Sequence, residues 1–437
     1  MSLMLVALTA EGQPPQAGPN VPYGNVFSVK LGGLRQVVLL GPEYPKLFFK
    51  SGDDTLSFND ALKARRAVNF HLFLDNKTFE YPIHITLIKQ KFTPNMRNWT
   101  PLIAEVIEPA YVDGLLRNLG GPYYRGARKG TMVVEIERMM YQIVGRSSAR
   151  CICGDEGYDN QELIDTFINF DKDATEMIGL STLLPRFLGG RVKEHYAVMM
   201  KHLLPVVKKR RAAKDTSQKV DFLSYLLEAP DVDGSPLTDE WIVTRLGVMI
   251  WASLTTTAGA LTQTLLDIFS RPEIREKVLE EQNRVLGDSK TVDHDHVKQM
   301  DYLDACIRES LRTTSFLRWR MKDMQAGQYS IQKGTMVALS AYVAHHDKTL
   351  WGEDTESFKP ERFISETQPL YAFLPFGSGQ HACPGRFFAL HEIKTILSLL
   401  MRTYDIDIPG GRPKLVWLVN RVTAEKDPVI FMKKAAA

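Results

Sequence analysis

The residues best placed to do chemistry lie in one run near the C-terminal end, Phe376-Gly-Ser-Gly-Gln-His381-Ala-Cys383-Pro-Gly385-Arg-Phe-Phe-Ala389. It sets one cysteine behind a glycine-punctuated loop and at the start of an apolar helix. Gly377, Gly379 and Gly385 carry no side chain, so the loop is free to take positive φ and to pass close under a flat ligand. Backbone N–H groups can then point at the sulfur, and the N-terminus of the following helix favours a thiolate there. This is the setting a thiolate needs to ligate a haem iron. Phe376 is expected to pack against the sulfur and shield it from water. Phe388, Ile393, Ile396, Leu397 and Leu400 mark the buried face that anchors the helix.

A second candidate run is Ala252-Ser-Leu-Thr255-Thr256-Thr257, inside a long apolar segment. Helical threonines can bond the carbonyl three or four residues back, and a hydroxyl held that way can position a water for proton transfer. The competing reading is a β-branched run used for packing. A third candidate is Glu309-Ser-Leu-Arg312 with Phe358-Lys-Pro-Glu-Arg362-Phe363 downstream. On spacing alone the Glu–Arg pair is a helix-surface ion pair worth under about 1 kcal/mol.

Taken together, the cysteine loop, the Glu-x-x-Arg helix and the Pro-Glu-Arg-Phe chunk resemble the cytochrome P450 superfamily from about Val21 to Lys434. The resemblance implies a mainly α fold, one large helical unit with a small β-rich lobe, over residues 21–437, preceded by a tail or hinge remnant at 1–20. It implies haem b held by Cys383, with Phe376, Gly377, His381 and Gly385 around it. Glu309 would be buried between Arg312 and Arg362. The strand after that helix would bring Arg320, or else Arg318, to a haem propionate, with His381 as a further basic partner. The family's usual Trp-x-x-x-Arg pair is absent, since Ile103 follows Trp99 at that spacing; His84 and Lys91 are the substitutes considered. On the distal side, family monooxygenases carry an acid before the threonine. Here Thr255 stands at the acid position and Thr256 at the threonine position. Pocket candidates are Phe70, Phe73, Phe79, Ile250, Trp251, Leu254, Phe316, Leu317 and Ala424.

The elements that must hold these residues are partly legible. Phe27 to Leu40 reads as a hairpin around Gly32-Gly33, with a helix opening after Gly41-Pro-Glu. Asn69 to Pro82 reads as an aromatic loop, and His84 to Pro94 as a basic helix. Thr238 caps a helix over Asp239–Ser270, about 48 Å at about 1.5 Å per residue, ended by Arg271-Pro272. Lys208-Lys-Arg-Arg211 reads as a solvated helix terminus.

Over the whole 437 residues, 44% hydrophobic and 24% charged content is ordinary for a globular chain, and a net charge of +3 makes no case for nucleic acid. Four cysteines without framework spacing fit a reducing compartment, and Cys151-Ile-Cys153 is too tight for zinc. The apolar N-terminal run is far shorter than the roughly 20 residues of a membrane span. The family resemblance implies an anchor lost from this chain, a membrane surface, and the cytosolic face of the endoplasmic reticulum. The expected activity is that of a fungal-type monomeric monooxygenase. It would take electrons from an NADPH-cytochrome P450 reductase and hydroxylate a bulky apolar substrate, a steroid or terpenoid. A reductase-independent isomerase or dehydratase acting on a peroxide is the alternative, and a non-catalytic haem- or lipid-binding protein is a third reading.

Overall fold

A computed structural model describes residues 25–31, 34–40, 43–51, 56, 76–119, 131–180, 190–213, 220–289, 291–315, 317–321, 324–326, 329–331, 335–364, 371–417, 422–425 and 429–434. The hairpin forms as its alternation requires: β1 (Val26–Leu31) pairs antiparallel with β2 (Leu34–Leu39). Two later strands, β3 (Leu317–Met321) and β4 (Met336–Ser340), complete the sheet in the order β1-β2-β4-β3. β2 runs parallel to β4, with Leu39 opposite Leu339. Helix α1 (Tyr44–Lys50) packs on this sheet, and Leu39, Phe48, Phe49, Val337, Leu339 and Leu374 form a core of their own. Three further small sheets include Thr131–Val134 and Tyr404–Asp407 on either side of Val429–Lys433, and the pair Leu415–Trp417 with Val422–Ala424.

The larger core is helical. Its framework is α2 (Ile136–Cys153), α3 (Gln161–Leu180), α4 (Asp239–Phe269), α5 (Asp301–Thr314) and α7 (Arg386–Thr403), while α6 (Ala341–His345) gives its apolar residues to the smaller cores beside the sheet. Of these, α4 is central and packs against α2, α3, α5 and α7. Thr238 caps it as expected, its hydroxyl accepting from Trp241 N at 3.3 Å. Arg271 then takes the extended conformation that a following proline imposes, at φ −127° and ψ 100°, and Pro272 opens the next helix. Ile242, Leu246, Ile250, Leu254, Leu261 and Leu265 are all buried. Each such side chain contributes about 1.5–3 kcal/mol through removal from water.

Several expectations change. Asn76–Glu80 is a short helix inside the stretch expected to be loop. The basic run of 208–211 is only half solvated. Lys208 and Lys209 are exposed, but Arg210 is buried between Glu156 and Asp221, and Arg211 pairs with Asp239. A guanidinium forks between two carboxylates where an ammonium would not, which is why the cluster splits by residue type. Residues 1–24, Phe70, Phe73 and Phe316 lie outside the described residues. The side chains of Phe79, Leu317, Arg318, Arg320 and His381 lie outside them as well.

Candidate active site

The cysteine loop is fixed by its own backbone. Gly377 and Gly379 take φ +70° and +67°, conformations that glycine adopts without strain. At Gly379 a side chain is excluded twice over, because a Cβ would stand 2.8 Å from Phe49 O of α1. Gly377 N donates to Leu374 O at 3.0 Å, and Cys383 N donates to Phe376 O at 2.8 Å. Phe376 is half-buried against the large core. Gly385 departs from expectation: its φ is −84°, open to any residue, and it caps α7. A Cβ there would lie 4.0 Å from Cys383 Sγ, so what the glycine spares is the space beside the sulfur. Phe388, Ile393, Ile396, Leu397 and Leu400 are buried and hold α7 to the core.

Cys383 is half-buried, whereas Cys151, Cys153 and Cys306 are fully enclosed, and burial pushes the thiols of those three upward. Among the described residues no group of three His, Cys, Asp or Glu side chains is arranged to hold a metal ion. What the site offers a cofactor is the half-exposed Cys383 thiol in a loop whose Gly385 leaves space beside the sulfur.

The loop is braced from behind. Glu309 accepts from Arg312 Nε at 2.7 Å and Nη2 at 2.8 Å, and Lys359 N donates to it at 2.9 Å. Arg362 Nε stands 3.5 Å from Glu309 Oε1, while its other nitrogens bind Trp351 O and Asp354. Glu309 and Arg312 have no exposed surface. This is a buried network, and the surface-pair reading of the spacing is excluded.

On α4 the open and closed faces can be read from burial. Trp251 and Thr255 are half-buried round the helix; along one side of its middle Ala252 and Thr256 are exposed, with Met249, Ser253, Gly259 and Ala260 half-buried beside them. Their spacing of three and four places them on one stripe. Thr256 lies at its centre and donates to Ala252 O at 3.0 Å. The helix stays α-helical here, without the bulge that back-bonding threonines can open. Thr255 lies round the helix from this stripe. Its hydroxyl accepts from Tyr141 of α2 at 3.1 Å and donates to the Asp171 carboxylate of α3. Asp171 is 2% exposed, so the acid absent from the α4 sequence is supplied to Thr255 from another helix.

Four of the expected pocket and cofactor residues, Ile250, Leu254, Lys91 and His84, have other surroundings. Ile250 and Leu254 are buried on the closed face, Leu254 filling space beside Gly145 of α2. Trp251 is half-buried and packs on the core. Lys91 is taken up by Glu228 at 2.8 Å, with its ammonium over the Tyr225 ring. His84 offers no cation, since burial, assisted by Arg245, lowers its pKa to about 4. Ala424 is half-buried on a strand that touches α4. Arg318 and Arg320 stand on β3, opposite Leu339 and Val337 of β4. Met249, Ser253, Gly259, Tyr141 and Asp171 were not foreseen. The first three continue the periodicity through Thr256, whereas nothing in the sequence pairs Asp171 with Thr255.

A long helix with one open stripe of small and hydroxylic residues, packed on the helix that a half-exposed thiol introduces, defines a helical fold built to hold a flat prosthetic group. The family model for cytochrome P450 matches residues 20–420. The chain belongs to the cytochrome P450 family and, with it, to the monooxygenases. It is 27% identical to cytochrome P450 monooxygenase 151 of Postia placenta, over 94% of this chain and 86% of that one. To the lanosterol 14-alpha demethylase of Mus musculus it is 26% identical, over 94% and 81%. Among solved structures, retinoic acid bound cyanobacterial CYP120A1 superposes with a TM-score of 0.77 at 22% identity, over 94% and 92%.

Proposed function

We propose that this protein is a haem-thiolate monooxygenase that hydroxylates a bulky apolar substrate of the steroid or terpenoid class. Electrons would come from an NADPH-dependent reductase at the cytosolic face of the endoplasmic reticulum. The observation that carries the reading is the pairing of the half-exposed Cys383 thiol with the open stripe of α4. In the bound state the haem supplies the oxidising power that places one oxygen atom of O2 into a C–H bond.

The residues do the rest. Cys383, as thiolate, would hold the iron. Arg318, Arg320 and His381 are assigned to the propionates, on their positions in strand and loop. Met249, Ala252, Gly259 and Ala260 line a largely apolar wall, which excludes water and suits a polycyclic hydrocarbon skeleton. Thr256 Oγ1 holds a proton donor at the centre of that wall. One residue away, Thr255 accepts from Tyr141 and donates to the Asp171 carboxylate, a part-buried polar chain beside the wall that we assign to proton delivery. A monooxygenase needs such delivery and an isomerase does not.

Ferric spin-state titration with panels of steroids, diterpenes and fatty acids identifies the substrate class. Product formed with NADPH, reductase and labelled O2 should carry one labelled oxygen. Turnover of a peroxide substrate without NADPH or reductase, with no hydroxylation in the complete system, would overturn the proposal. Reduced protein with carbon monoxide should show the red-shifted Soret band of thiolate ligation, shifted by Cys383→His.

A further inference from the structure

Among the described residues, the hydrogen bonds that join the approach to the cysteine loop with the Glu309 network pass through a side chain that neither motif contains. His345 ends α6 with no exposed surface. Its Nδ1 lies 3.0 Å from Arg312 O, and Leu374 N donates to its Nε2 at 2.7 Å. Partner chemistry fixes the tautomer. A carbonyl only accepts, so Nδ1 carries the proton; an amide N–H only donates, so Nε2 presents its lone pair. The tie is mutual, since Arg312 Nη1 donates back to His345 O at 2.8 Å. One residue along the loop path, Leu374 O accepts from Gly377 N, the first glycine before Cys383. A continuous hydrogen-bonded line thus runs from Glu309 through Arg312, His345 and Leu374 into the loop.

From this we propose that His345 is a positioning residue for Cys383: its neutral Nδ1–H imidazole sets where the cysteine loop begins, and protonation at Nε2 releases it. A proton added there would face the Leu374 N–H, turning an acceptor into a second donor within 2.7 Å. The bond from Leu374 N to His345 would be lost, and with it one anchor of the turn at Gly377.

Charged and aromatic groups from each described neighbouring element face the imidazole. From α5 the imidazole meets Arg312, whose charge is matched by Glu309. From the segment after α6 it meets Trp351, with Arg362 and Asp354 paired beyond it. From the loop it meets Phe373, ring centroids 5.7 Å apart. On its own helix, His346 stacks on Tyr342 and burial lowers its pKa to about 4. The inference rests on the reading of Cys383 as iron ligand, but its test is separate from turnover.

In the reduced, carbon-monoxide-bound holoenzyme, imidazole nitrogen shifts of labelled His345 should report the Nδ1–H tautomer at neutral pH. Exchange of the Leu374 amide should accelerate as that signal titrates, and the thiolate Soret band should be lost over the same window. Glutamine places a carbonyl oxygen near Nε2 and does not titrate. His345→Gln should keep the thiolate band and hold it to a pH at least about one unit lower than wild type. His345→Phe, equal in bulk but without either partner, should lose the band at neutral pH. Identical acid midpoints for wild type and His345→Gln, or an Nε2–H or charged imidazole at neutral pH, would overturn the proposal. Should the glutamine variant not accumulate, the wild-type tautomer and Leu374 exchange decide. Absence of hydroxylation with these signatures intact would count against the monooxygenase reading alone.

Discussion

Thr255 and Thr256 are neighbours in sequence with different tasks, because one residue along a helix is about 100° of rotation. Thr256 faces the open stripe and Thr255 the buried carboxylate of Asp171. Thr256→Ala should therefore uncouple the reaction, with NADPH consumption continuing while product per NADPH falls by about tenfold or more and peroxide accumulates. Asp171→Asn keeps the size and a hydrogen-bonding group but removes the charge. It should slow the proton-dependent step, seen as a larger solvent deuterium isotope effect with substrate affinity unchanged. An unaltered isotope effect would leave Asp171 a packing residue. The sequence disclosed Thr256 through its motif position, yet Asp171 stands 84 residues earlier on another helix. No periodicity or spacing connects the two, and only packing of α3 on α4 makes them partners.

Among the elements, two seams carry buried charge with opposite consequences. Between α5 and the segment ending at Arg362, Glu309 serves two guanidiniums. Removing it in Glu309→Ala leaves both cations uncompensated and should cost about 3–5 kcal/mol. Haem-loaded protein should fall accordingly, as measured by haem content per chain. Between α2 and α7, Glu392 is fully buried and accepts from Ser148 at 3.1 Å and from Ser147. Burial raises its pKa from 4.5 to about 7. The folded state therefore holds this proton more tightly than the unfolded chain. Its contribution is fully present below about 4.5 and is lost as pH rises through about 7. Thermal midpoints should decline across that window, and Glu392→Gln should flatten the decline. The Glu-x-x-Arg spacing pointed to the first seam only after the Pro-Glu-Arg-Phe chunk was joined to it. The second was not legible, because a glutamate in an apolar helix face gives no sign of the serines that will meet it.

For the whole molecule, the mainly helical fold with its β-rich lobe was legible from the motifs, since the cysteine loop, the buried glutamate and the capped long helix each fix one part of the same architecture. Less was legible about the pocket. Apolar residues of α4 were assigned to it by hydrophobicity, whereas Ile250 and Leu254 turn to the protein core and small residues face the open side. Hydropathy cannot separate a wall facing a ligand from a wall facing other helices, because both are apolar; only burial in the assembled fold does. The same limit affects Lys91, whose charge suggested a propionate but whose reach is satisfied by Glu228.

The hydrogen bond from Cys383 N to Phe376 O closes the intervening chain into a ring of set circumference. Around such a ring the length and the two positive-φ glycines are set, and change is confined to positions free of those demands. Gln380 is exposed and takes no positive φ. An added residue has nowhere to go: the arc already lies against Phe49 O at Gly379, with no room for even one more carbon. A single glycine inserted between Ser378 and Gly379 should therefore abolish thiolate ligation, while Gln380→Ala leaves the carbon monoxide spectrum intact. Descendants of this gene should keep the count of the loop and the glycines at 377 and 379, and drift at exposed positions such as 380.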